Sequence, residues 1–311
     1  MGNSYTIYDH IEMFPGGREE ILPEVTEDFP YAGVRSEHDR YTGRVVPWHW
    51  HEEIELFYAL SGTTEYGVPH ERVVVEKGSC GFVNSNVLHE TISLGKGPGS
   101  VLLIHMFKPS LLAAPGSRLW RTCVEPLVRA TSVGMLAVSP VDEASRALCE
   151  AVRASFDVFE RAEPGWEMRV RDALGELWLD FLDLARPRLV DGPQQFARAS
   201  EERLKLMIDY VGLHYPEQIT VADIAAAGFT SERECHRTFR EELGCTPSAY
   251  LRGHRVRQAC RMLTNTTRPI ATIGEMCGLG SASHFGQVFR QQVGKTPSEY
   301  RKSSQGMAET R

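Results

Sequence analysis

The sequence lacks the features that would place the protein in a membrane, in a secretory pathway or in a disulfide-rich class. No apolar run approaches the roughly 20 residues that a membrane-spanning helix needs. The N-terminus, MGNSYTIYDH, has neither the basic start nor the apolar core of a secretory signal. The seven cysteines are odd in number, scattered, and never spaced C-x-x-C. These absences predict a cytoplasmic protein with reduced thiols and no membrane partner.

What is present is enough sequence for two domains that differ in charge. The chain has 311 residues, of which 42% are hydrophobic and 24% charged, as is typical of a globular protein with more than one core. The net charge is −7, but residues 228–302 hold 12 basic and 6 acidic residues. An acidic front half and a basic back half indicate two roles, and the basic half is suited to nucleic acid.

Local patterns divide the chain into a β-rich front, a helical connector, a linker and a helical back. Short β-branched and aromatic runs separated by glycine and proline predict an antiparallel barrel or sandwich over residues 1–140. Apolar residues at helical spacing predict a helical connector over 141–190. A stretch with proline, glycine and polar residues predicts a linker over 191–200. Short helices are expected over 201–302, followed by a frayed tail over 303–311.

The connector helices carry large apolar side chains on one stripe each. Phe156, Phe159, Trp178 and Phe181 are more than a simple connector requires, and they predict a homodimer interface. The alternative is that these stripes pack against each other and against the barrel.

The helical back contains an internal repeat with a period of 50 residues. Phe229–Tyr250 aligns with Leu279–Tyr300, and eight of the 22 positions are identical. Each copy predicts a helix, a tight turn and a second helix, and Ser231 with Glu234 predicts a capping box that opens the second helix of the first copy. Two such units are suited to presenting a pair of recognition helices to DNA.

These residues carry a resemblance to a known family. The stretch from IAAAGFTSERECHRTFREELGCTPSAY to GLGSASHFGQVFRQQVGKTPSEYR resembles the C-terminal double helix-turn-helix domain of AraC/XylS-family transcription regulators. The resemblance implies sequence-specific binding to double-stranded promoter DNA, a partnership with RNA polymerase, and activation of nearby metabolic or transport genes. Gly274, Leu279 and Gln287 depart from the family pattern. The first two departures predict a core in the second copy that is softer by about 1 kcal/mol each.

The side chains expected to touch DNA lie on the groove face of the second helix in each copy. Arginine can bind guanine through two hydrogen bonds, and glutamine is suited to adenine. The alternative is that several of these side chains are solvated, or that they hold phosphates without reading sequence. The predicted DNA contacts are Ser231, Glu232, Arg233, His236, Arg237, Arg240, Ala282, Ser283, Gln287 and Arg290.

The front half carries a second motif, which resembles the two motifs of the cupin domain. The first is spaced Gly43, His49, His51, Glu55 and Gly62, and the second contains Gly78 and His89. His49 and His51 are two apart on a strand, so they point to the same face. The candidate metal ligands are therefore His49, His51, Glu55 and His89, a donor set that suits zinc, nickel, iron or manganese. The alternative is a polar pocket that hydrogen-bonds a small-molecule effector without metal.

Several residues near this motif are candidates for an effector pocket: Trp50, Phe57, Tyr66, Phe82 and His105. Ordinary barrel packing is the alternative for most of them.

Two classes of function compete for this chain. One is a ligand-responsive transcription regulator, and the other is a metal-dependent cupin enzyme such as an oxygenase or isomerase. The repeat favours the regulator, because an enzyme has no need for two paired recognition helices. The sequence thus predicts a multidomain α+β protein that is not an enzyme. Its parts are an N-terminal cupin β-barrel (jelly roll), a helical connector and an all-α double helix-turn-helix domain.

Overall fold

The computed structural model describes residues 2–13, 18–22, 24–26, 28–68, 71–130, 132–190 and 195–308. The chain forms two compact units. The first consists of Met1–Glu12 and Glu20–Gln195, and the second of Met13–Glu19 and Phe196–Arg311. The connector helices therefore belong to the first unit together with the β-rich front.

Two antiparallel sheets form the β part of the first unit. The strands found in the described residues are β1 (Tyr31–Glu37), β2 (Val45–His49), β3 (Ile54–Ser61), β4 (Thr63–Val68), β5 (Glu71–Glu76), β6 (Cys80–Val83), β7 (His89–Leu94), β8 (Val101–Phe107) and β9 (Met135–Val138). One sheet has the order β1-β8-β3-β6-β9 and the other β2-β7-β4-β5. The predicted β-barrel domain is confirmed.

The five-stranded sheet is covered on both faces, because its strands alternate between two hydrophobic cores. On β3, Phe57 faces the core between the two sheets, whereas Leu56 faces a core shared with helices. On β8, Ile104 likewise faces the core between the two sheets, and Leu103 faces the core shared with helices. The inside of the barrel and the helical layer are thus separated by a single sheet.

The helical layer consists of α1 (Glu125–Val128), α2 (Glu143–Arg161) and α3 (Trp166–Val190). Asp142 caps the start of helix α2: its carboxylate accepts a hydrogen bond of 2.8 Å from the Ser145 amide. The four aromatic side chains of the predicted dimer interface, Phe156, Phe159, Trp178 and Phe181, are buried in the core between this layer and the sheet. The apolar stripes therefore pack against each other and against the barrel, which was the alternative to a dimer interface. These aromatic side chains no longer support the prediction of a homodimer.

The second unit is helical, and its helices start earlier and end later than the sequence predicts. Its helices are α4 (Gln195–His214), α5 (Val221–Ala227), α6 (Glu232–Leu243), α7 (Pro247–Asn265), α8 (Ile270–Met276), α9 (Ala282–Val293) and α10 (Pro297–Ala308). Helix α4 begins inside the predicted linker 191–200, of which residues 191–194 lie outside the described residues. Helix α10 continues into the predicted tail, of which 309–311 lie outside them. Within the described residues, no helix is both long and apolar enough to cross a membrane.

Helix caps define the two copies of the repeat. The Ser231 side chain accepts a hydrogen bond from the Glu234 amide and so caps α6, and Ser281 caps α9 in the same way. The reciprocal half of the predicted capping box is missing from the contacts of α6, because the Glu234 carboxylate pairs with Arg237 instead. Gly244 ends α6 with a φ of 66°, a conformation that glycine adopts without steric cost.

The core of the second copy is packed around its departures from the family pattern. A Cβ atom at Gly274 would lie 2.8 Å from Cδ1 of Phe285, so the Phe285 ring fills the space that an alanine methyl group would take. Leu279 and Phe285 are both buried. Glycine at position 274 and phenylalanine at position 285 therefore complement each other in shape.

Candidate metal centre and nucleic-acid interface

The four predicted metal ligands converge inside the barrel. One ligand atom from each of His49, His51, Glu55 and His89 lies within 4.8 Å of the others, and all four side chains are buried. Strands β2, β3 and β7 supply His49, Glu55 and His89, and His49 pairs directly with His89 across the β2–β7 ladder. His51 lies between β2 and β3. Strand pairing thus brings a residue of the second motif to the residues of the first.

Backbone hydrogen bonds orient all three imidazoles in the same way. The Nδ1 atoms of His49, His51 and His89 bond to the carbonyl oxygens of Pro47, Glu53 and Val87, at 2.7, 3.0 and 2.9 Å. A carbonyl oxygen only accepts, so each Nδ1 carries the proton and each Nε2 keeps its lone pair when the ring is neutral. The Nε2 atoms of His51 and His89 are buried without a hydrogen-bond partner among the described residues. This is how metal-binding histidines are held.

Glu55 is held by a tyrosine and by the imidazoles. The Tyr66 hydroxyl donates a hydrogen bond of 2.7 Å to Glu55 Oε1, and the Tyr66 ring stacks on Phe57 at 4.7 Å. The other carboxylate oxygen lies 3.3 Å from His89 Nε2 and 3.9 Å from His51 Nε2. Oxygen Oε2 is therefore the one directed at the centre of the cluster.

The electrostatics of the cluster favour positive charge beside Glu55. Burial acts to raise the pKa of Glu55, but its contacts with His51 and His89 outweigh this effect and hold the pKa well below its usual range. Burial acts to lower the pKa of His51, but Glu55 and two further carboxylates outweigh it and raise the pKa to about 9. Burial and the two neighbouring imidazoles hold the pKa of His49 well below its ordinary value.

A pocket inside the barrel adjoins His49 and Glu55. It combines polar groups with an apolar wall, and its lining comprises Tyr8, Ile11, Glu20, Val34, Ser36, Tyr41, Val46, His49, Glu55, Thr91, Leu102, Ile104 and Met106. None of the five predicted effector residues is in this lining. Phe57 and Tyr66 belong to the core between the sheets and support Glu55 from behind, and Trp50 is fully buried.

The other two predicted effector residues lie on the far side of their sheet. Phe82 packs against Trp178 and Phe181, at 5.6 and 5.3 Å between ring centroids. The His105 ring stacks on Phe156 at 3.8 Å. Phe82 and His105 therefore bind the helical layer to the sheet and are wrong as pocket residues, because every second residue of a strand points away from the lumen.

The first recognition helix, α6, presents its predicted DNA contacts to solvent. Ser231, Glu232, Arg233, Arg237 and Arg240 are exposed, and His236 is half-buried. The opposite face, with Cys235 and Phe239, is buried. The amphipathic α6 thus divides into a packed side and a side free to enter a groove.

Arg237 is held by acidic neighbours on its own helix. Its guanidinium bonds to Glu234 at 2.5 and 3.0 Å and to Glu241 at 2.8 Å. The Arg237 side chain is 53% exposed, and exposed pairs of this kind contribute about 0 to 1 kcal/mol. These weak pairs leave the Arg237 side chain able to turn to DNA, where a bidentate contact with guanine would give about 1 to 3 kcal/mol of discrimination between bases.

The second recognition helix, α9, has an uncharged groove face apart from one arginine. Ala282, Ser283, Gln287 and Arg290 are all exposed. Helix α9 contains no acidic residue, whereas α6 contains four. The two helices therefore present different chemistry to DNA, with charge concentrated on α6.

Comparison with known proteins bears on both sites. A family model described as a cupin domain matches residues 41–105, which include the four cluster residues. A model described as a helix-turn-helix domain matches residues 224–303, which include both recognition helices. The uncharacterized HTH-type transcriptional regulator YdeC of Bacillus subtilis is 24% identical over 91% of this chain and 96% of its own length. The chain therefore combines a cupin domain with a helix-turn-helix domain of the kind that its regulator relatives carry.

Two further similarities concern parts of this regulator. The transcriptional activator RhaS of Enterobacter sp. (strain 638) is 28% identical over 49% of this chain and 54% of its own length. A solved AraC-type transcriptional regulator from Chromobacterium violaceum is 30% identical over 34% of this chain and 94% of its own, with a TM-score of 0.33. YdeC and RhaS are both named as transcription regulators, and the protein is a DNA-binding transcription regulator.

Proposed function

We propose that this regulator responds to a small ligand bound in the cupin barrel and activates transcription of nearby metabolic or transport genes. The observation that carries the proposal is the pocket beside the buried His/Glu cluster. It lies in the unit that does not contain the recognition helices. RhaS is named as a transcriptional activator, which supports activation rather than repression. We place the protein in the cytoplasm, where promoter DNA and RNA polymerase are its partners.

We further propose that the cluster binds a divalent metal ion, either as part of the effector site or as the signal itself. The donor set fits, because three imidazoles are bonded to backbone carbonyls through Nδ1, which leaves Nε2 for an ion, and one carboxylate lies beside them in a buried site. His49, His51, Glu55 and His89 would hold the ion, as zinc, nickel, iron or manganese. When bound, the ion would supply a Lewis-acidic position for an oxygen or nitrogen atom of the effector.

On DNA, we assign base contacts to Arg233, Arg237 and Gln287 and phosphate contacts to Arg290. The first three are exposed on the groove faces of α6 and α9. Arg290 lies in the last turn of α9, where a phosphate of the backbone can pass. These assignments make the two recognition helices read different bases.

We also propose that the regulator forms a homodimer, on a different surface from the one that the sequence suggested. Met168 and Leu179 of α3 are 64% and 42% exposed. They lie eleven residues apart, which is about three helical turns, and so share one face of the helix. The mass of the purified protein at several concentrations, measured by light scattering, tests this proposal: a monomer at every concentration would refute it.

The variant His51→Ala tests the sensing function. It removes a central group of the cluster and leaves α6 and α9 intact, so DNA binding without effector should stay near the wild-type value. A screen of metal ions and metabolites for a rise in melting temperature identifies the effector on the wild-type protein. The DNA affinity of wild type should then change by about 5- to 150-fold with that effector, and His51→Ala should lose this response.

The control for this test is His10→Ala, which removes a surface histidine outside the cluster. If His51→Ala responds to the effector as wild type and His10→Ala do, the cluster is structural and the sensor lies elsewhere.

A further inference from the structure

Glu20 is a buried carboxylate beside the cluster that neither cupin motif contains. The residue is 5% exposed, and its Oε2 atom lies 3.7 Å from Nε2 of His49. This is the only ion-pair contact that the described residues offer to Glu20, and the two atoms are too far apart for a hydrogen bond. A carboxyl group in such a buried place is neutral unless a cation accompanies its ionised form.

The backbone fixes Glu20 in this place. Its amide donates a hydrogen bond of 2.9 Å to the carbonyl oxygen of Trp50, which lies between His49 and His51 in the sequence. The next amide, of Ile21, donates to the carbonyl oxygen of Glu12 at 2.7 Å. The segment that carries Glu20 is therefore bound alongside the two histidines.

We propose that Glu20 is a fifth ligand of the divalent metal ion in the cluster, on the side of His49. The inference rests on the metal site of the proposed function and adds to it a ligand from a segment before the barrel strands. Two ligand atoms that are each about 2.1 Å from one ion lie about 3.0 to 3.6 Å apart at angles of 90 to 120°. The observed separation of 3.7 Å between Glu20 and His49 is slightly longer than this range, and Glu20 is not among the four residues whose ligand atoms all lie within 4.8 Å of one another. The Glu20 side chain would therefore move toward the ion on binding.

Charge balance gives Glu20 a second reason to bind the ion. A divalent ion held by three neutral imidazoles and Glu55 alone would leave one uncompensated positive charge in a buried site. With both carboxylates the centre is neutral, which lowers the cost of placing the ion away from water. Five protein ligands also leave one open position in octahedral geometry, so the centre is built to retain an ion and admit a single further donor.

The experiment is a titration of the full-length, metal-free chain with Co²⁺, followed by visible absorption and by calorimetry. Glu20→Gln keeps the size of the side chain and removes its charge. Because loss of an outer partner already weakens metal binding by about 10- to 100-fold, loss of a direct ligand should weaken Co²⁺ binding by at least about tenfold. The Co²⁺ absorption bands should also shift, since the ion loses a carboxylate.

Two controls accompany Glu20→Gln. Glu24→Gln makes the same change of charge at an exposed position of the same segment and should bind Co²⁺ as wild type does. Glu20→Asp keeps the carboxylate on a shorter side chain and should recover part of the affinity. Tryptophan fluorescence of each variant checks that the barrel is folded.

The outcomes separate the two proposals. If wild type binds Co²⁺ and Glu20→Gln binds it with the same affinity and spectrum, Glu20 is not a ligand, and the metal site of the proposed function stands. If wild type and Glu24→Gln bind no Co²⁺, the metal site itself is wrong, and the role of Glu20 falls with it.

Discussion

His105 provides a sharp test of how the helical layer is attached to the barrel. Both of its ring nitrogens are engaged: Nδ1 lies 2.7 Å from the Tyr31 hydroxyl and Nε2 lies 2.8 Å from Ser155 Oγ. Ser155 Oγ donates its own proton to the Val152 carbonyl oxygen, so it accepts from His105 Nε2. Nδ1 is then the acceptor of the Tyr31 proton, and the ring is neutral.

Burial of this ring makes the stability of the first unit depend on pH. It lowers the pKa of His105 to about 3, whereas an unfolded histidine has a pKa of about 6.5. Between these values the unfolded chain binds the proton and the folded chain does not, so stability falls as the pH falls below about 6.5. At 1.36 kcal/mol per pH unit, His105 alone should remove about 2 kcal/mol of stability between pH 8 and pH 5.

The variant His105→Gln isolates this contribution. Glutamine has a donor and an acceptor but does not titrate, so the variant should be less stable than wild type at pH 8, by on the order of 1 to 3 kcal/mol. The difference should shrink by about 2 kcal/mol at pH 5, because only wild type loses the contribution of His105. Urea unfolding followed by tryptophan fluorescence measures it, since all five tryptophans lie between Trp48 and Trp178, in the first unit.

The control is His10→Gln, at the surface of the same unit. Its stability should differ from that of wild type by the same small amount at both pH values. A difference between His105→Gln and wild type that stays constant from pH 8 to pH 5 would refute the assignment of a neutral, buried His105.

Two further predictions concern the second unit. Arg237→Ala should relax the base preference of the regulator, whereas Arg290→Ala should weaken binding to all DNA sequences alike and lower the salt dependence of binding. Competition assays with specific and nonspecific DNA measure both effects. An equal loss of affinity for all sequences in Arg237→Ala would contradict its role in base contact. Alanine in place of glycine inside a helix ordinarily raises the free energy of unfolding by about 0.5 to 1 kcal/mol. Gly274→Ala should not show this gain, because its methyl group would meet Phe285. Gly212→Ala in α4, where a Cβ would touch nothing within 4 Å, should gain it, and thermal unfolding followed by circular dichroism compares the two variants. A clear stabilisation by Gly274→Ala would show that the α8–α9 contact is loose.

The features that the sequence determined by itself are those encoded over short distances. Helix caps such as Ser231 act within one turn, so the start of α6 can be recognised from residues 231–234. The repeat and the cupin spacing are likewise linear patterns, and the cupin spacing is enough to predict that His49 and His51 lie in one cluster, although only His49 is on strand β2. This is why the two domains and the four-residue cluster could be predicted from the sequence.

Only the tertiary structure decided which side of the five-stranded sheet each residue faces. Both faces are buried, so the alternation of hydrophobic and polar residues that marks an exposed sheet is missing, and Phe82 and His105 could not be assigned to the helical side from sequence. The same holds for the aromatic stripes of α2 and α3, because a sequence pattern shows that a face is apolar but not what covers it. Glu20 belongs to this group as well: its place beside His49 depends on a hydrogen bond to Trp50, thirty residues along the chain, and no local pattern contains that contact.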